Sequence, residues 1–180
     1  MQRRKFLTSS LTASALAATA PVGYLQGTPQ AVSSDGKGRE FYQLRCYHLS
    51  SGPQRKLCDD FFREALLPAL NRLAIAPVGV LDLAIGPETP SIYVLMPSLS
   101  LETLVNVETR LAEDAEYMKV GAPFLNAPAT APALRRMESS LLQAFQRTPR
   151  LKLPPATATN APRVFELRTY ESPSDQDHKR

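Results

Sequence analysis

Phe41-Tyr42-Gln43-Leu44-Arg45-Cys46-Tyr47 is the stretch on which the fold turns. It is rich in aromatic residues and it alternates. Tyr42, Leu44 and Cys46 fall on one side and Gln43, Arg45 and Tyr47 on the other, the signature of a strand lying on a core. A near copy stands 123 residues later, where Phe165-Glu166-Leu167-Arg168-Thr169-Tyr170 preserves Leu-Arg-x-Tyr in the same phase. An offset of that size is one domain plus a linker. The chain is therefore expected to hold one complete unit and the first strand of a second, cut short at Arg180.

Between the copies the pattern changes period. Ser51-Gly52-Pro53 starts a helix whose apolar stripe is Leu57, Phe61, Ala65, Leu66, Leu70 and Leu73. Pro68 removes the donor that would bond Glu64, so a kink is expected there. Val78 to Ile85 and Ser91 to Met96 read as strands joined by Gly86-Pro87-Glu88-Thr89-Pro90. Ser100 is a cap for a second helix, striped by Leu101, Leu104, Val105, Leu111, Ala112, Ala115 and Met118 and ended by Gly121-Ala122-Pro123. Met137 to Phe145 reads as a fourth strand, with a helix over Ser139–Leu142 as the alternative. Strand, helix, strand, strand, helix, strand is the order of a ferredoxin-like α+β sandwich, βαββαβ, with both helices on one face of an antiparallel sheet.

The flanks read differently. The chain starts Met1-Gln2-Arg3-Arg4-Lys5-Phe6-Leu7, followed by an apolar stretch diluted with Thr and Ser as far as Ala20. Arg3, Arg4, Phe6 and Leu7 resemble a twin-arginine export signal, which predicts a signal peptide over residues 1–20, cleaved after Ala17, and a periplasmic destination. Residues 21–38 then form a flexible lead, 39–146 the folded domain, 147–162 a Pro-rich linker and 163–180 the start of the second domain. The net charge of +4 is concentrated in the signal, since removing Arg3, Arg4 and Lys5 leaves 18 basic against 17 acidic residues. Nucleic-acid binding thereby loses its electrostatic basis. After cleavage nothing is long and apolar enough to hold the chain in a membrane.

In their order, the strand Phe41–Tyr47, the helix segment Leu66-Leu67-Pro68-Ala69-Leu70, Pro77-Val78-Gly79-Val80, Ile92-Tyr93-Val94-Leu95 and Ser98-Leu99-Ser100-Leu101 resemble the NIPSNAP family. Ala74 departs from that pattern, where Gly is usual at the end of the first helix. The resemblance implies a dimeric α/β barrel, in which two ferredoxin-like units, from a homodimer or from tandem domains of one chain, pack the uncovered faces of their sheets together. It also implies a binding protein of unassigned molecular function, taking a small molecule or another protein; the alternative is a cofactor-independent oxygenase or isomerase of the kind found on related barrels.

The alternation of the first strand sends Tyr42, Leu44 and Cys46 towards the helices and leaves Gln43, Arg45 and Tyr47, with Tyr93 beside them, facing the barrel interior as candidate ligand-binding residues. A guanidinium placed there must be paired or wet, so Arg45 either binds an anionic ligand or forms a structural ion pair, with Asp82 as a candidate partner. His48 reads as a surface loop residue, with a haem-ligand role as the alternative. Two His and two Cys are too few for the usual metal clusters, and neither a metal nor a cofactor is expected. Cys46 and Cys58 are expected to be free buried thiols. Asp59-Asp60 and Glu113-Asp114 are solvated helix charges, and no nucleophile elbow, phosphate loop or paired-carboxylate signature is present. The reading leans away from catalysis.

Overall fold

A computed structural model describes residues 38–50, 52–154, 164–174 and 176. The expected signal motif and cleavage site, nearly all of the expected lead and much of the expected linker lie outside the described residues. The folded domain begins with β1 (Phe41–His48), followed by α1 (Gly52–Phe61), a π-helical turn (Phe62–Leu66) and α2 (Leu67–Arg72). Next come β2 (Gly79–Asp82) and β3 (Ser91–Ser98), the short helices α3 (Leu101–Val105), α4 (Val107–Ala112), α5 (Ala115–Val120) and α6 (Ala122–Leu125), and β4 (Arg136–Gln143). The sheet is antiparallel with order β2-β3-β1-β4. This is the ferredoxin-like α+β arrangement read from the sequence, with β1 central and both chain-distant strands, β3 and β4, paired to it.

Pro68 disturbs the first helix by a specific device. Its missing N–H cannot bond Glu64, and the turn before it widens so that Leu67 N–H reaches the carbonyl of Phe62. Buried positions recur in pairs four apart: Phe61 and Phe62, Ala65 and Leu66, Ala69 and Leu70. A regular α-helix would rotate such a stripe away from the sheet by about 40° every four residues, and the wide turn restores the phase. The helix leaves through Ala74 at φ 58°, the left-handed position where the sequence departs from Gly. A Cβ there costs roughly 1–2 kcal/mol, tolerated because Leu73 and Ala74 close the helix onto the carbonyls of Ala69 and Asn71.

The second helical region is not one helix. Ser100 caps α3 as expected, accepting from Thr103 N–H at 3.3 Å, but the chain then breaks at Asn106, Asp114 and Gly121. Asp114 restarts it by accepting from Tyr117 N–H and, from the same carboxylate, pairing with Arg72 of α2 at 2.7 Å. Those two interactions, the backbone one first, hold the Asp114 carboxyl below its ordinary range. The segmented path lets Leu104, Val107, Leu111 and Tyr117 all point into one core with Tyr47, Phe61, Phe62, Leu66, Leu70, Ile92, Val94 and Met96. Phe61 stacks on Phe124 at 4.1 Å between centroids, and Tyr47 meets Phe62 edge-on at 5.0 Å.

The strands differ in detail from the sequence reading. β2 is four residues rather than eight, because Leu83 N–H bonds Ser91 O and the chain then turns through the Gly-Pro-rich connection. Every residue of β4 is exposed. The copy of β1 at Phe165–Tyr170 lies exposed, outside any strand.

Candidate functional site

The sheet has two unlike faces, and the structure reverses the facing expected from alternation. Tyr47 joins the helix-side core, and Arg45 on the same side reaches Glu108 of α4 at 2.5 Å. Gln43 accepts from Arg45 Nη2 at 3.2 Å and donates to Ser139 of β4 at 2.9 Å. Tyr42, Leu44 and Cys46 therefore line the open face, where their opposite numbers on β3 are Pro97, Leu95 and Tyr93. Alternation divides residues into two sets but does not say which set meets the helices. Tyr47 decides it, since its ring fills the aromatic cluster, while the Arg45 guanidinium rises far enough to meet a carboxylate at the solvent margin.

The four candidate residues are thus split. Gln43, Arg45 and Tyr47 sit together on the helix side and Tyr93 sits on the other. Arg45 is the structural ion pair, with Glu108 rather than Asp82, which instead bonds Arg55. Its Nε, buried, has no hydrogen-bond partner among the described residues. Burial pushes the Tyr47 hydroxyl up, and the adjacent Arg45 partly opposes this.

On the open face Tyr93 stands directly opposite Cys46; the neighbouring thiol, and then burial, raises the Tyr93 hydroxyl, while burial raises the Cys46 thiol. A thiol held protonated is a poor nucleophile, so the pair offers a polar contact within an apolar surface made by Leu44 and Leu95. Cys58 lies across the sheet in the helix-side core, its thiol pushed up to about 12 by burial. Both cysteines are free and buried, as expected, although Cys46 does not face the helices.

His48 is not a surface loop residue but the last residue of β1, 2% exposed. Its Nδ1 lies 3.1 Å from Glu88 and 3.2 Å from Ser91 Oγ, and its Nε2 3.5 Å from Glu138. Arg135 and Arg136 in turn hold those two carboxylates at 2.9 and 2.8 Å. The sequence signal for this cluster was present: His48 continues the series Tyr42, Leu44, Cys46 by one more step, and only the early end assigned to the strand hid it. Glu88 and Glu138, on a loop and an edge strand, carried no signal. Among the described residues no group of His, Cys, Asp or Glu is arranged to hold a metal ion, and no helix is long and apolar enough to cross a membrane. Two grooves, of about 280 and 180 Å³, lie against α1, the first under Pro53, Leu57 and Pro132, the second between Phe61, Val120 and Phe124.

With both faces described, the comparison with solved structures is direct. A NIPSNAP family protein from Agrobacterium tumefaciens superimposes with a TM-score of 0.50 at 18% identity, over 62% of this chain and 91% of that one. An uncharacterised NIPSNAP-like domain protein from Burkholderia xenovorans gives 0.50 at 20% identity, over 64% and 93%. The fold is that of the NIPSNAP structures. A second A. tumefaciens NIPSNAP family protein, of unknown function, gives 0.50 at 18% identity over 62% and 94%. The NIPSNAP-type fold thus accounts for nearly the whole of each of these relatives and for the part of this chain between its flanks. No protein-family model and no curated protein matches the sequence.

Proposed function

We propose that this chain is an exported NIPSNAP-type binding protein, whose open sheet face closes against a second such domain and encloses a small molecule at Tyr93 and Cys46. The observation that carries this reading is the one-sidedness of the sheet: among the described residues every helix of the folded domain packs on the face of Tyr47, Val94 and Met96, and the opposite face presents Leu44, Tyr93 and Leu95 only partly buried. A sheet with one apolar face left without a layer completes itself by packing against another. The partner in this reading is a homodimer mate or a tandem domain. Binding is favoured over catalysis because the thiol and hydroxyls of this face are held protonated and no oriented nucleophile accompanies them.

Sedimentation equilibrium tests the pairing. Tyr93→Glu places a charge in the closed face and is expected to weaken self-association by at least about tenfold. It should also abolish any small molecule retained by the wild-type chain in native mass spectrometry. A wild-type chain that stays monomeric at every concentration, or a variant that associates as before, overturns the reading. Export has its own test, supported by the Arg3-Arg4 pair: the Arg3→Lys/Arg4→Lys variant should accumulate in the cytoplasmic fraction, and unchanged periplasmic recovery would count decisively against the twin-arginine route.

A further inference from the structure

β4 is the edge of the sheet, and its outer side has no strand partner among the described residues. All eight of its residues are exposed, including Met137, Leu141 and Leu142. Such an edge is a template for another strand. The same chain carries a segment competent to be that strand. Val164, Phe165, Leu167 and Tyr170 are all exposed, and the segment is already extended, as its side chains show: Arg168 donates to Glu166 at 2.6 Å and to the Tyr170 hydroxyl at 3.4 Å, two residues back and two residues on. Arg45 in β1 likewise donates to the residue two positions back, Gln43, at 3.2 Å. The repeat seen in the sequence thus extends to this side-chain contact, except that among the described residues one copy has strands on both sides and the other has none.

We propose that Phe165–Glu171 of one chain adds to the outer edge of β4 of a second copy of this chain, antiparallel, in the register that β1 holds with the inner edge. In β1, Tyr42 lies opposite Leu142, Tyr47 opposite Met137 and His48 opposite Arg136. Carried across the repeat, this register sets Phe165 against Leu142, Tyr170 against Met137 and Glu171 against Arg136. Those are two apolar pairs and one pair of opposite charges, each favourable when directly opposed. A slip of two residues in one direction instead opposes Glu171 to Glu138. The acceptor is a second copy because the chain leaving β4 turns the other way. Ala144 N–H and Pro149 O bond the backbone of Glu40, and Leu151 N–H bonds its carboxylate, which carries residues 144–151 past β1 and away from the outer edge. Reciprocal addition closes a two-fold pair. This association is of edges, where the function proposed above is of faces, and neither requires the other.

The test is thiol cross-linking in the full chain. Ser139→Cys/Arg168→Cys places two thiols opposite each other across the proposed ladder, whereas Ser139→Cys/Leu167→Cys places them on opposite faces. The native thiols are both buried. Under mild oxidation the first variant is expected to give disulfide-linked dimers on a non-reducing gel, at least about tenfold more than the second. Equal yields, no dimer, or a disulfide closed within one chain would each overturn the proposal. A chain that sediments as a dimer sensitive to Tyr93→Glu but yields no cross-link refutes the edge pairing alone. A cross-link in a chain whose association ignores Tyr93→Glu refutes the face pairing alone.

Discussion

Leu66→Ala is expected to lower the free energy of unfolding by about 3 to 4 kcal/mol, within the range for a fully buried leucine. The side chain is wholly inaccessible and belongs to the π-helical turn that re-phases the first helix against the sheet. Because the backbone there is fixed by the Leu67-to-Phe62 bond and by Pro68, the neighbouring turns have little freedom to collapse into the space left. Urea titration should show a lower midpoint with an unchanged slope, and thermal melting a midpoint lowered by roughly 10 °C or more. A loss below about 1 kcal/mol would mean that the site relaxes, and that the wide turn does not anchor the helix as described.

Glu108→Ala is expected to cost about 2 kcal/mol, although Glu108 is itself largely exposed. The cost arises at the other end of the pair. Arg45 is 3% exposed and its Nε lacks a partner among the described residues, so losing the carboxylate leaves a buried cation hydrogen-bonded to Gln43 but no longer opposed by a charge. Replacing the cation removes the problem. Arg45→Met keeps most of the volume without the charge, and Arg45→Met/Glu108→Ala should regain most of the stability lost by Glu108→Ala. A double-mutant cycle measured by denaturant unfolding checks this, and additive losses would show that Arg45 does not depend on Glu108.

The order of elements was legible because each rests on a local pattern: alternation at Phe41–Tyr47, a helical stripe from Leu57, capping by Ser100. The kink at Pro68 was legible as a missing donor, though not in its form, since a wide turn and a bend satisfy the same loss. The breaks at Asn106 and Asp114 were obscured because the apolar stripe runs through them without interruption. The facing of β1 was not legible at all. Two sets of residues, one with Tyr47 and the other with Leu44 and Cys46, compete for the core, and the winner is set by aromatic rings from Phe61, Phe62 and Phe124 that are distant in sequence. The candidate site inherited that error, so that Tyr93 alone of the four residues stands on the open face. His48 itself was within reach, one step on from Cys46, but its partners Glu88 and Glu138 were not, because they come from a loop and an edge strand that meet it only in the folded sheet.

The thickness of one sheet separates the two sulfur atoms. Cys46 looks out beside Tyr93 and Cys58 looks in beneath the helices, so no rearrangement short of unfolding brings them together. The native state consequently has no covalent redox partner to gain or lose. Its chain connectivity is therefore the same under reducing and under oxidising conditions. Oxidative folding machinery is unnecessary for this domain, and its stability should be indifferent to reductant.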